Sequence, residues 1–167
     1  VDGEIAGGTS PVDVEQALSG LEPNTAYEFL LSASAGTVTV DTAPLTFTTL
    51  VTPPVVDTGS GASLTDTEAT VTAGVNPRNA ATEYFFEWGE TSAYGNRVPE
   101  AGDEPAGAGG TRVAVSQRLT GLQPGTTYHF RIVATNTEDQ VSEGDDSTFT
   151  TLAEPGGGLQ GERGYEL

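Results

Sequence analysis

Apolar residues along this chain recur mostly at every second position, in short runs broken by Gly, Pro, Asn and Asp. That is the period of strands with one buried face. Ala69, Val71, Ala73 and Val75 share one face of such a run, which Asn76-Pro77 ends as a turn. Thr82 to Trp88 follows, with Tyr84, Phe86 and Trp88 inward and Glu83 and Glu87 outward. Phe85 interrupts this alternation and is assigned to the outer face. Gly89 to Gly95 reads as a turn, followed by a short strand near Arg97-Val98. Thr111–Leu119, Thr127–Thr135 and Ser147–Thr151 complete the set. Residues Pro99 to Gly110, rich in Gly, Pro and Ala and carrying Glu100, Asp103 and Glu104, show no period and are expected to form a mobile loop.

The chain also repeats itself. Leu18-Ser19-Gly20-Leu21-Glu22-Pro23-Asn24-Thr25-Ala26-Tyr27-Glu28-Phe29 recurs as Leu119-Thr120-Gly121-Leu122-Gln123-Pro124-Gly125-Thr126-Thr127-Tyr128-His129-Phe130. Leu45-Thr46-Phe47-Thr48-Thr49-Leu50 recurs as Ser147-Thr148-Phe149-Thr150-Thr151-Leu152. Two matches in the same order at nearly one spacing mark a duplicated unit, and the spacing suits a seven-stranded sandwich of about 100 residues. The second copy is complete on this reading. The first is not: a full copy would need about 75 residues before its tyrosine, whereas 26 precede Tyr27. Residues 1–50 are expected to supply the last three strands without those that would cover them. Phe29, Leu31, Val38, Val40 and Phe47 are then left needing cover.

The block from Leu122 to Asn136, with Pro124, Thr126, Tyr128 and Ala134, resembles the signature by which fibronectin type III domains pass from their fifth to their sixth strand. Leu21, Pro23, Thr25, Tyr27 and Ala33 repeat it. The resemblance implies a tyrosine corner, in which the hydroxyl ties back to the backbone of the turn. Tyr84-Phe85-Phe86-Glu87-Trp88-Gly89 with Tyr94-Gly95 resembles the third strand of a bacterial subgroup of that family. The animal pattern places its core Trp on the second strand, where this chain has Val71 and Ala73; here Trp88 lies on the third. Tyr27, Tyr128, Trp88, Pro23 and Pro124 are accordingly the expected structural residues. What the family implies is a modular spacer, adhesion or accessory domain, often extracellular and in tandem.

Composition narrows the functional classes. Against 24 acidic residues stand six basic ones, all Arg, for a formal charge of -18. Such a surface repels nucleic acid and anionic lipid, and no apolar run approaches the roughly 18 residues that span a bilayer. There is no Cys, hence no disulfide and no thiolate metal site. Position 1 is Val, not Met, so the chain is expected to be a processed or excised piece. Glu154 to Leu167, with Gly156-Gly157-Gly158, reads as a linker, whose end Arg163-Gly164-Tyr165-Glu166-Leu167 regains apolar character.

Candidate chemistry is sparse. With no Cys, no Lys and one His placed on an outward strand position, a triad or a His-based metal site is not assembled. Asp139, Glu143, Asp145 and Asp146, around the last hairpin, are weak calcium candidates without a specific binding spacing, so loosely bound calcium is the one cofactor weighed. Phe85, Trp88 and Tyr94 are weighed as a sugar- or peptide-stacking platform, although Trp88 alternates as a core residue. No Arg-Gly-Asp tripeptide is present.

The expected fold is therefore an all-β, fibronectin type III-like (immunoglobulin-like) antiparallel β-sandwich: a partial repeat over 1–50, a complete domain over 51–152 and a Gly-rich tail over 153–167. The expected function is a non-enzymatic spacer or adhesion module of a secreted or cell-surface protein, with protein partners or self-association and neither nucleic acid nor membrane insertion. One alternative is a subunit that builds filaments or swapped dimers by strand complementation through the incomplete repeat. A second is an accessory carbohydrate-binding domain of a secreted hydrolase.

Overall fold

The computed structural model describes residues 10–154. Thirteen strands are present and no helix among those residues. The second repeat is a two-sheet antiparallel sandwich of the fibronectin type III kind. One sheet orders β10 (Val113–Thr120), β6 (Glu68–Asn76) and β5 (Val55–Ala62). The other runs β12 (Val141–Glu143), β11 (Thr127–Asn136), β7 (Thr82–Gly89) and β8 (Asn96–Val98), with β13 (Ser147–Thr150) on β11 and β9 (Glu104–Gly107) on β7.

The alternation read from sequence is the alternation that buries. Ala69, Val71, Ala73 and Val75 of β6 face Tyr84 and Phe86 of β7 and Tyr128, Phe130, Ile132 and Ala134 of β11 in one core, closed by Leu119, Leu122 and Phe149. Aromatic rings line it in sequence: Trp88–Tyr128–Phe149–Phe130–Phe86–Tyr84, with centroids 5.8, 5.6, 5.9, 6.3 and 6.0 Å apart. Flat rings at these offsets fill a thin core with little loss of rotamer freedom and add edge-to-face attraction to the area they bury.

Three expectations need correction. The stretch Pro99–Gly110 is not simply a loop: β9 pairs there with β7, Tyr84 opposite Glu104 and Glu83 opposite Pro105. A ladder edge tolerates a proline because its missing N–H faces away from the partner, and Arg97 anchors the approach by donating to Gly102 O (3.0 Å) and pairing with Asp103. Strand β5, which the apolar pattern did not announce, carries Asp57-Thr58-Gly59-Ser60-Gly61 and a register shift between Thr58 and Gly61. Its glycines are demanded by contact rather than by turn geometry. A Cβ on Gly61 would lie 2.5 Å from Cβ of Phe149, and one on Gly59 would lie 2.6 Å from Thr72 Oγ1. Finally, the first repeat has four short strands rather than three: β1 (Ala26–Phe29), β2 (Ser32–Ala35), β3 (Val38–Asp41) and β4 (Leu45–Thr48). The strand that is continuous in β11 breaks at Leu30-Leu31, where the Leu31 N–H donates to Thr42 Oγ1 (3.0 Å) and Leu31 O accepts from Thr42 N (2.9 Å). The readings for the Gly-rich tail and for Arg163–Leu167 lie, beyond Glu154, outside the described residues.

Strand pairing in the two repeats is the same residue for residue. Tyr27 stands opposite Phe47 as Tyr128 stands opposite Phe149, and Ala33 opposite Val40 as Ala134 opposite Ser142. What differs is the cover. Phe130 and Ile132 are fully buried, whereas their counterparts Phe29 and Leu31 are 48% and 50% exposed.

Replacing Gly61 by Ala is expected to cost about 1–3 kcal/mol, because Phe149 cannot yield without disturbing the aromatic row. A urea midpoint for Gly61→Ala equal to that of the parent would overturn this account of β5.

Candidate functional site

Two surfaces carry organised side chains: the corner that ends each repeat, and the outer face of the β7–β11 sheet. The repeated Leu, Pro, Thr and Tyr pattern falls on the corner. In the second repeat the Gln123 N–H donates to Tyr128 Oη (2.9 Å), and Thr151 Oγ1 accepts from Thr126 N (2.9 Å) while donating to Gln123 O (2.6 Å). In the first, Glu22 N donates to Tyr27 Oη (2.9 Å), and Thr49 Oγ1 accepts from Thr25 N (3.0 Å) and donates to Glu22 O (2.6 Å). Pro23 and Pro124 supply the carbonyls that accept from Thr25 Oγ1 (2.8 Å) and Thr126 Oγ1 (3.1 Å). Gly20 and Gly121 both sit at φ 72°, a left-handed conformation that favours Gly at that place. Thr49 and Thr151, which were not among the expected structural residues, hold as much of the corner as the tyrosines do. Their signal was in the sequence, since both stand next to last in the repeated Thr-Phe-Thr-Thr-Leu run.

On the outer face, pairing brings Arg131 of β11 beside Glu87 of β7. Arg131 Nε donates to Glu87 (2.7 Å) and its Nη1 to Glu143 (2.5 Å), while the guanidinium lies 5.0 Å from the centroid of the Tyr94 ring. Beside this pair, Asp146 receives the Tyr94 hydroxyl on Oδ1 (3.0 Å) and His129 Nδ1 on Oδ2 (2.7 Å). The imidazole nitrogen is the donor in that contact, because a carboxylate only accepts. Burial pushes the Tyr94 hydroxyl above the usual phenol range, and its hydrogen bond to Asp146 pushes it the same way. His129, expected outward, is on that face but half-buried and paired. These groups are engaged with one another by hydrogen bonds.

Two of the calcium candidates take part in these contacts. Asp146 spends both oxygens on Tyr94 and His129, and Glu143 meets Arg131. Asp139 occupies a left-handed position (φ 55°) in the hairpin turn, and Asp145 is exposed. The turn is organised instead by Asn136, which is buried. Its Oδ1 accepts from Glu138 N (3.0 Å) and Gln140 N (3.1 Å), and its Nδ2 donates to Gln140 Oε1 (2.9 Å). Among the described residues no three His, Asp or Glu side chains converge as a ligand set. The aromatic platform is likewise dispersed. Phe85 lies on the outer face but under the Arg97 guanidinium, 4.0 Å from its ring centroid, and opposite the buried Val133. Trp88 packs edge-on against Tyr128 in the core row, and Tyr94 caps Arg131.

A different surface is apolar and open. Phe29, Leu31, Val38, Val40 and Leu45 of the first repeat are between 48% and 66% exposed. Among the described residues no helix is long and apolar enough to cross a membrane.

No protein-family model matches the chain. Among solved structures it is similar to the sensor domain of the anti-sigma factor RsgI4 of Pseudobacteroides cellulosolvens, at 20% identity over 62% of this chain and 98% of that one, with a TM-score of 0.46. It is similar also to the fibronectin type-III domain of human fibronectin type III domain containing protein 3, at 19% identity over 64% and 95% of the two chains (TM-score 0.40). A third similarity is to the FN1-FN3 domains of chicken CNTN1, at 17% identity over 79% of this chain and 42% of that one (TM-score 0.37). The fold assignment rests on the strand pairing and register described above.

Two outcomes test these sites. Removing the Tyr128 hydroxyl as Tyr128→Phe leaves the Gln123 N–H without its acceptor and is expected to cost on the order of 1 kcal/mol. Tyr27→Phe, in the uncovered repeat, should leave the main melting transition unmoved. Equal shifts in the two variants, read by calorimetry, would contradict the assignment of the main transition to the second repeat. The second outcome concerns alkaline pH. A phenol held above its unfolded value stays protonated in the folded chain while the unfolded chain ionises, so its contribution is present below about pH 10 and fades as pH rises through the folded value. Tyr94→Phe should therefore flatten the alkaline loss of stability, leaving a residue from Tyr84, whose hydroxyl is also pushed up by burial. An alkaline limb identical in parent and variant would exclude the Tyr94–Asp146 bond as its source.

Proposed function

We propose that this chain is a non-catalytic spacer or adhesion module of a secreted or cell-surface protein. On this reading a partial repeat over 1–50 is joined to a complete one over 51–152, and the remainder is a tail. The observation that carries the proposal is the duplication itself. Two tandem units share one corner, hydrogen bond for hydrogen bond, and four arginines of the second lie in ion pairs: Arg97 with Asp103, Arg112 with Asp57 (2.5 Å), Arg118 with Glu68, Arg131 with Glu87 and Glu143. The acidic excess, a formal -18, keeps such a module soluble and apart from its neighbours. Fold alone does not assign a ligand.

The exposed Phe29, Leu31, Val38, Val40 and Leu45 favour a second reading, self-association through the first repeat. Exchange of strands between identical copies does not cover them. Each copy carries two halves of the β11–β13 kind, β1–β4 and β11–β13 themselves, but among the described residues one half of the β5, β6, β7 and β10 kind. Every exchange would uncover as much as it covers. The self-assembly that remains is direct packing of two β1–β4 faces, a symmetric dimer rather than a growing filament.

Light scattering behind a sizing column, over a range of concentrations of the full chain, separates the two. A monomer throughout is expected. A concentration-dependent dimer abolished by Val40→Glu would sink the spacer reading in favour of self-association.

A further inference from the structure

Between the two repeats the chain has almost no slack. On one side Leu50 O accepts from Asn24 N (3.1 Å), inside the first repeat's corner. On the other, Thr52 O accepts from the buried Asn136 of the second repeat (3.1 Å), and Pro54 O accepts from Ser142 Oγ (2.6 Å). Only Val51, itself half-buried, separates a carbonyl pinned to one repeat from a carbonyl pinned to the other. Pro53 and Pro54 follow at once; their rings fix φ, and Pro54 is buried.

A second contact closes beside this linker. The turn after β6 places Arg78 and Asn79 at φ 55° and 62°, conformations an Asn tolerates better than most residues, and Asn79 N donates to Gly109 O (3.1 Å). So held, the Asn79 amide donates to Pro23 O (3.1 Å) and to Thr25 Oγ1 (3.1 Å), both in the first repeat's corner. The Asn24 amide, at φ 45°, returns a hydrogen bond to Asn79 O.

We propose that the Glu22–Thr25 corner is a docking surface for the Asn79 turn, and that with the pinned linker it locks the two repeats in one orientation. The second corner shows what makes the first special. It offers the equivalent acceptors, Pro124 O and Thr126 Oγ1, but has Gly125 where the first has Asn24, so it lacks the amide that reciprocates. The Asn79 turn is therefore matched to the first corner and makes the pair of repeats a stiff unit. This gives the proposed spacer its mechanical character and rests on that reading for its purpose, though not for its geometry.

The test uses the absence of cysteine. Spin labels on Thr39→Cys and Ser116→Cys, both exposed strand positions, report the distance between the repeats in the full chain, diluted with unlabelled chain. The expected result is one narrow distance distribution, broadened roughly twofold when Asn24→Gly and Asn79→Gly remove both amides and leave rotation about Val51 unopposed. Gly at these two positions keeps the left-handed backbone, and Asn24→Gly alone reproduces the residue found in the second corner, so the fold is spared. A broad distribution in the parent, or a narrow one unmoved by both substitutions with the melting transition intact, overturns the lock. Self-association seen by light scattering would sink the spacer reading while leaving this intrachain distribution narrow.

Discussion

The hydroxyl of Thr151, buried between Thr126 N and Gln123 O, is the contact on which the geometry of the second sandwich turns. With Tyr128 Oη accepting from Gln123 N, it stitches the chain entering β11 to the chain leaving β13. That stitch sets Tyr128 opposite Phe149, and the ring pair so placed, 5.6 Å apart, begins the aromatic row through the core. Shift this register by one residue and every apolar side chain of β11 exchanges faces, bringing His129 and Arg131 inward. A few local hydrogen bonds of modest net worth thus decide the placement of side chains that bury far more free energy.

The first repeat separates the two roles. Its corner has the same bonds within a few tenths of an ångström and the same stacked pair, Tyr27 on Phe47 at 5.7 Å, although the face below is open. Corner geometry is therefore written in about thirty contiguous residues and needs no core. Burial is not local: Phe130 and Ile132 owe theirs to β5, β6, β7 and β10, which come from earlier in the chain. The broken strand at Leu30-Leu31 marks where local bonding stops being sufficient, since β11 runs unbroken through the corresponding residues with β7 paired along it.

This division explains what could be read from the sequence. Strands whose information is their own alternation were legible: β6, β7, β11 and β13 lie where Val71, Phe86, Phe130 and Phe149 placed them. The corner tyrosines were legible because a signature repeats. Strand β5 was not, because Gly59 and Gly61 answer to Thr72 and Phe149, residues far along the chain. Strand β9 was hidden for a similar reason, being defined by β7's free edge rather than by its own residues. The outer-face network was legible only as a list of charges. That Asp146 meets Tyr94 and His129 depends on the turn at Tyr94 folding back over β11, which no local pattern in the sequence records.

The same distinction bears on function. The groups that a sequence offers as candidate ligands, here Glu143, Asp146, Phe85 and Tyr94, are drawn by folding into contacts with Arg131, His129 and Arg97. The residues that the fold leaves with outward-facing work are less conspicuous: two asparagines in left-handed turns and a linker with one free residue. Asn24 and Asn79 carry no charge and belong to no catalytic motif. In the proposed spacer they matter because a joint bonded on both sides of Val51 bends less than a joint of equal length left open. In the spacer proposed above, the stiffness is thus lodged between the repeats, where the corner that organises one unit also serves as the seat of the next.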